Sequence, residues 1–580
     1  MAKTDSFSAR WDRFRNRIAA RQAAWAKPAT ALVSSPEPRT IGSFARGRQL
    51  AGGNFLFAGH LLQEPDLHMW DLTAPDPRYE AELHGFAWLD DLAAAGDLPA
   101  RRCAQDWLWG WIDRYGNGRG PGWTPDLTGR RLIRWINHAL FVLNGQDSAA
   151  SQAFYRSLAQ QTLFLGKRWQ ATAPGLPRFE ALTGLIYAGL ALEGMQGHVA
   201  PAVRALEQEC KLRIGNEGML PTRNPEELLD VFTLLTWTAE ALDDAGKSPG
   251  DAHFNAIERI APTLRTLRHA DGGLARFHGG GRGMEGRLDT ALAASGVKGR
   301  QPDGLSMGYA RLSAGRTSVI IDASAPPTGA ASRNAHASTM AFELTSGRRP
   351  LIVNCGSGQT FGADWRRAGR ATPSHSTLVL AGESCARLGA DSETSEWLVG
   401  GPTHVPIQMS HAPDGVRFEG GHDGYVSRFG MTHARTIDMT FDGRAVAGED
   451  MLLALERPAR RRFDRALDAT QMQGVKFQIH FHLHPDVDSA IDMGGAAVSL
   501  ALRSGEIWVF RTDARAEITL EPSVYLEKDR LKPRATKQIV LSGRAMEYAT
   551  RIRWSLAKAQ DTPVSIRDLT QDDPFPQADS

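Results

Sequence analysis

Two spacings of apolar residues divide the chain. In the first half they recur three and four apart: Leu132, Trp135, Ile136, Ala139, Leu140 and Leu143 make one stripe, and Leu228, Val231, Phe232, Leu235, Ala239 and Leu242 another. That spacing puts side chains on one face of an α-helix. Cys103 to Trp111, Leu182 to Leu190 and Ile257 to Leu267 add helices of the same kind, broken by Pro125, Pro177, Pro201, Pro221, Pro225 and Gly272-Gly273. Recurring antiparallel helix pairs suit either a solenoid or a closed α/α toroid, and the period alone does not choose. Near Gly296 the period falls to two. TSVIIDAS, STMAFEL, PLIVNCG, STLVLAG, VRFEGG, RTIDMTF, VKFQIHFHLHP, AVSLAL and IWVFRTD alternate between Gly, Asp and Ser turns, the pattern of an antiparallel β-sandwich.

The chain is therefore expected to be an α+β multidomain protein. Residues 1–98 hold an N-terminal helix and an irregular segment wrapping a helical core, 99–295 the helical domain, 300–570 the sandwich and 571–580 a polar tail. Phe7, Trp11, Phe14 and Ile18 fall on one side of the Arg-rich first helix, a face that suits docking against the protein itself, a partner or a membrane surface.

Composition narrows the class. At 580 residues the chain is too long for one core, and 42% hydrophobic with 23% charged residues is ordinary for a globular protein. A net charge of +2 gives no global case for nucleic acid or a membrane, although local arginine clusters can steer an anionic substrate. No run of about twenty apolar residues suggests a transmembrane segment, and the N-terminus lacks the apolar core of a signal peptide. Cys103, Cys210, Cys355 and Cys385 form no CxxC pair, which argues against a disulfide framework or a cysteine zinc site and for a cytoplasmic location. Homo-oligomerisation stays open.

The densest chemistry lies between Arg333 and Leu380. Two strand-like runs flank the turn Ser346-Gly347, and Asn334, His336, Asn354, Trp365, Arg366, Arg367, Arg370 and His375 crowd into the same short stretch. Either histidine alone reads as a side chain satisfied by backbone; the cluster with arginines and Trp365 points to a site.

This stretch resembles the heparinase II/III-like polysaccharide lyases, whose sandwich domain reads His-x-His-Ala-Asp, FEL, Asp-x-Gly and Arg…His-(Asn/Ser)-Thr-Leu. Here those positions read Asn334-Ala335-His336-Ala337-Ser338, Phe342-Glu343-Leu344, Asn354-Cys355-Gly356 and Arg370…His375-Ser376-Thr377-Leu378. The resemblance continues through LHGFAWLDDLAAAGD upstream and GGHDGYVSRFGMTHAR downstream. It implies an α/α toroid, an incomplete helical barrel, followed by the sandwich. It also implies cleavage of an anionic, uronate-containing glycan by β-elimination.

Such a lyase needs a cation or donor to neutralise the carboxylate, a base for the proton at sugar C5 and an acid for the leaving oxygen. The candidates for proton transfer are His336, His375, His422 and Tyr425, with Asn334 where the family has its first sandwich histidine. Arg178, Glu180, Arg223, Asn224, Asn137, His138, Trp365, Arg366 and Arg370 are the candidates for substrate binding. Arg178 and Glu180 stand where a family Asn-His helix begins, and Arg223-Asn224 where a Tyr-His motif is expected; neither motif is intact. The resemblance also implies a zinc ion, or another divalent cation, at positions matching His336, Asn354 and His375, but Asn brings no charge. His480, His482 and His484 share one strand face and offer a second metal arrangement, against a solvated or sugar-facing strand side.

Two other classes remain. A glycoside hydrolase needs two carboxylic acids across one cleft, and Glu180, Glu226, Glu227 and Asp271 are available without a spacing that marks a pair. A non-catalytic glycan-binding or cell-envelope assembly protein accounts for the missing motifs.

Overall fold

The computed structural model describes residues 7–561 apart from 26–28, 35–37, 300–303, 392–393, 514 and 529. The tail expected at 571–580 lies outside the described residues, as does the side chain of Phe7. Two compact units result. One comprises Met1–Pro221, Glu226–Leu264 and Met284–Gln301; the other Thr222–Pro225, Arg265–Gly283 and Pro302–Ser580.

The first unit is the helical toroid. Two of its longer helices start at a capping aspartate: Asp97 accepts from Ala100 N and Asp147 from Ala150 N, each satisfying an otherwise orphaned backbone donor. Proline stands in the first turn of Pro77–Gly85, Leu98–Tyr115, Pro125–Asn137 and Leu176–Ala191, so several residues read as breakers are starters. Of the expected stripe, Leu132, Trp135, Ile136 and Ala139 are at most 1% exposed, but the helix ends at Asn137 and a short one restarts at Ala139, so Leu140 turns outward at 75% exposed and Leu143 is only half-buried. Gly129 and Gly184 bring Pro125–Asn137 against Leu176–Ala191, for a Cβ on Gly184 would sit 2.4 Å from the Gly129 carbonyl oxygen.

Residues 27–98, expected to be irregular, carry the helices Phe44–Ala51, Pro77–Gly85 and Trp88–Ala95 and the hairpin Asn54–Phe57/His60–Gln63. The correction has a physical basis: Tyr79, Phe86 and Trp88 bury their rings against Phe57, Trp70, Trp107, Trp111 and Trp135. That burial outweighs the low helix propensity of short Pro- and Gly-bounded segments.

The second unit is the sandwich, built from two eight-stranded antiparallel sheets. One runs Ile407–Ala412, Gly415–Tyr425, Met431–Thr440, Ala445–Leu453, Ala549–Gln560, Ile507–Thr512, Ala497–Ala501, Asp488–Asp492 from edge to edge. The other runs Glu517–Tyr525, Arg534–Ala545, Val475–Leu483, Arg349–Val353, Phe342–Ser346, Thr317–Asp322, Tyr309–Ala314, with Leu378–Leu380 also paired to Val475–Leu483. Burial alternates along Met431–Thr440, as the period of two requires. Phe342 of one sheet stacks on Trp554 of the other, centroids 5.7 Å apart and rings 2° from parallel, and Phe481 and Phe510 complete the aromatic core. Arg265–Gly283, assigned by sequence to the helical domain, belongs to the sandwich unit.

Candidate functional site

In the sandwich unit His336 and His375 come together. His375 Nε2 lies 3.0 Å from His336 Nδ1, and both rings are buried. The surrounding donors fix the tautomers. Gly279 N donates to His336 Nε2 at 3.0 Å, so that nitrogen is an acceptor and the ring proton sits on Nδ1. His336 Nδ1 therefore donates to His375 Nε2. The proton of His375 is on Nδ1, which donates to the Ala371 carbonyl at 2.9 Å. His278 Nδ1 accepts from the backbone N–H of His336 at 3.1 Å, which leaves the His278 proton on Nε2, 3.4 Å from Asp322 Oδ2.

Asp322 carries the buried negative charge of the cluster. Arg223 donates to it at 2.6 Å and Ser338 at 2.6 Å; desolvation opposes the charge, yet Arg223 and His278 hold the carboxyl far below the usual range. Burial, above all, lowers the histidines as well, which keeps them neutral. His375 falls to about 3, and His336 lies well below its ordinary value because the neighbouring rings add repulsion to desolvation.

A second relay lies deeper in the same unit. Gly424 N donates to His422 Nδ1, so His422 Nε2–H faces His433 Nδ1 at 3.2 Å, and His433 Nε2–H donates to Asp450 at 2.7 Å. Arg435 and Trp554 also donate to Asp450. Tyr425 is 2% exposed and donates its hydroxyl proton to the Leu378 carbonyl at 3.0 Å; burial pushes its pKa well up.

The candidate binding residues are distributed over both units. In the sandwich unit, Arg223 donates to the carbonyls of Met307, Gly308 and Ala325 as well as to Asp322. Arg370 donates to the carbonyls of Ala335 and Ser332, both at 2.8 Å. Arg366 reaches Asn334 Oδ1, the Arg333 carbonyl and Glu396, beside a Trp365 that is 36% exposed. Asn224 is buried.

In the helical unit, Arg178 donates to Glu209 and the Thr172 carbonyl, and Glu180 accepts two bonds from Arg130 at 2.9 Å each. His138 sits 2.9 Å from Asp90, and the neighbouring Asn137 is 4% exposed with no hydrogen-bond partner for its carboxamide among the described residues.

The metal candidates do not fit a zinc ion as arranged. Both nitrogens of His336 and His375 are engaged, and Asn354 directs Oδ1 to Ser376 N at 2.9 Å and Nδ2 towards Glu343. Among the described residues no group of three or more His, Cys, Asp or Glu side chains is placed to hold a metal ion. The strand side bearing His480, His482 and His484 is buried rather than solvated. His482 is enclosed between Ser523 Oγ and the Pro373 carbonyl, and His480 faces Gln538.

Sequence reasoning missed His278, Asp322, His433, Arg435 and Asp450. Asp322 did leave a signal, a carboxylate ending the apolar run Val319-Ile320-Ile321, where only a buried partner accommodates one.

A family model described as "Heparinase II/III-like, C-terminal" matches residues 297–555. FtsZ-localized protein C of Caulobacter vibrioides is 30% identical over 537 residues, spanning 90% of this chain and 89% of that protein. Among solved structures, heparinase III superposes with a TM-score of 0.67 at 13% identity, over 95% of this chain and 90% of its own. The heparan sulfate lyase of Pedobacter heparinus gives 0.55 at 14%, over 96% and 88%. At these identities the structures speak for the fold, an α/α toroid followed by a β-sandwich, while the sequence matches carry the kinship: the chain belongs to the heparinase II/III-like family.

Proposed function

We propose that the chain uses the polysaccharide-lyase-like scaffold as a non-catalytic assembly protein of the cell envelope, acting in the cytoplasm where FtsZ localises. One observation carries this reading. The guanidinium groups of Arg178, Arg223 and Arg370 are turned onto acceptors of the chain itself, whereas a lyase needs such a group free to grip a carboxylate by two parallel hydrogen bonds. The proton-transfer candidates are enclosed in the same way, and the name of the Caulobacter relative supports the localisation. Four free cysteines, three of them buried, fit a reducing compartment.

The test has two parts. Fluorescently tagged protein should follow FtsZ in dividing cells, and the purified chain should give no conjugated unsaturated uronate from heparan sulfate, alginate or other uronate polymers. A diffuse signal together with ultraviolet-absorbing product would sink the proposal.

The contact between His336 and His375, in a family of lyases, favours a second reading: β-elimination of an anionic, uronate-containing glycan. A base would take the C5 proton, the C4–O bond would break as its electron pair leaves with the oxygen, C4=C5 would form, and an acid would protonate the leaving oxygen. Under that reading Tyr425→Phe lowers turnover with the fold intact, and Arg370→Ala weakens carboxylate positioning. Full turnover in a Tyr425→Phe, His375→Ala double variant would exclude these groups from the chemistry, and new reducing ends without unsaturation would indicate a hydrolase instead.

A further inference from the structure

A cavity of about 1570 Å³ in the sandwich unit is lined by none of the candidate site residues. It lies where the helices Arg457–Ala469 and Val426–Phe429 meet the strands Val475–Leu483 and Arg534–Ala545. The longer helix buries Ala459, Phe463 and Leu467, which turns Arg462, Arg465, Ala466 and Ala469 to the groove. Arg428, Lys476 and Arg544 complete its cationic lining, against a single lining carboxylate, Glu517.

Little of that charge is neutralised from within. Arg428 pairs with Glu383, but Arg544 donates to the Gln473 carbonyl and Arg465 to the Arg461 carbonyl, contacts that leave their charges uncompensated. Lys476 is exposed and Arg462 half-buried, and neither has an ion pair among the described residues. In a chain with a net charge of +2, this is a local concentration of positive charge.

We propose that this groove docks an acidic peptide segment of a protein partner, with an apolar side chain of that segment seated on the floor. The inference goes beyond the reading above, since a lyase could carry such a groove equally well. Three features select a peptide. The volume exceeds the roughly 300–1,000 Å³ of a site for a drug-sized molecule. The apolar lining consists of Ala381, Ala466 and Ala469, the recessed Val475 and Phe477, both 2% exposed, and the half-buried Phe429, so no large apolar side chain of the lining protrudes to enter a bilayer. No Trp or Tyr lines the groove, so a sugar ring finds no broad indole or phenol face there. Carboxylates paired with arginines at the rim and an apolar anchor below are what an acidic segment supplies.

The test measures fluorescence anisotropy of a labelled Asp/Glu-rich peptide with a central Leu-Phe pair, using the full chain. A uronate oligosaccharide and vesicles containing phosphatidylglycerol are the competitors. The peptide should bind saturably, more weakly as salt is raised, and Arg462→Glu or Lys476→Glu should weaken it by about tenfold or more. Arg102→Glu, an equal charge change on the exposed face of Leu98–Tyr115, should leave binding unaltered. Should Arg462→Glu fail to fold, Lys476→Glu decides alone, since that side chain is exposed. No saturable binding, an equal loss in all three variants, or preferential capture of the oligosaccharide or vesicles would overturn the proposal.

Discussion

Arg223 illustrates how much of the candidate chemistry is committed to holding the fold. It sits at φ 50°, a left-handed conformation unusual for a non-glycine residue, and from there its guanidinium reaches Asp322, which is fully buried. Removing one member of a buried ion pair strands the other, a loss of about 3–5 kcal/mol. Arg223→Met should therefore lower the denaturant midpoint sharply, and adding Asp322→Asn should recover part of the loss because no charge then remains unpaired. If the double variant is less stable than the single one, the uncompensated carboxylate is not the cause. The sequence showed that Arg223-Asn224 departs from the family pattern, but a partner 99 positions away in the chain leaves no local trace.

Among the elements, strands were more legible than helices. The alternation in RTIDMTF and VKFQIHF marks real strands because each has one face in the core. The helices Pro77–Gly85 and Trp88–Ala95 were missed because each is too short to repeat a stripe; the cap Asp76-Pro77, with Asp76 accepting from Arg78 N and Tyr79 N, was the readable sign. His480, His482 and His484 show the converse limit, since alternation places them on one face without saying that the face is covered.

Cross-strand pairing gives a sharper prediction. Gly448 lies opposite Trp554, and a Cβ there would meet the indole ring at 2.1 Å. Trp554 cannot give way easily, being packed against Phe342, Phe481 and Phe510 and bonded to Asp450. Gly448→Ala should cost about 1–3 kcal/mol by overpacking. Gly197→Ala, with nothing within 4 Å of the added atom, should stay within roughly 0.5 kcal/mol of the parent. Equal unfolding midpoints for the two variants would contradict the packing argument.

Across the whole molecule, the buried histidines dominate the response to acid. Burial lowers His84 and His375 to about 3, and His253, His480 and His482 to about 4. In the unfolded chain each titrates near its ordinary value of about 6.5. Between these values the unfolded state binds protons that the folded state refuses, so stability rises with pH across the interval. It is fully present above pH ~6.5 and is lost as pH falls towards 4 and then 3, at about 1.4 kcal/mol per pH unit for each such histidine. Asp322 and Asp450, held far below the carboxylate range by Arg223 and Arg435, act in the same direction but only once pH falls into the unfolded carboxylate range, near about 4. The denaturant midpoint should thus fall markedly between pH 7.5 and pH 5, before carboxylates titrate appreciably. A midpoint unchanged over that range would mean that these imidazoles admit water or protons in the folded state. His375→Gln would then remove none of the pH dependence, whereas burial of the neutral ring requires that it remove one histidine's share.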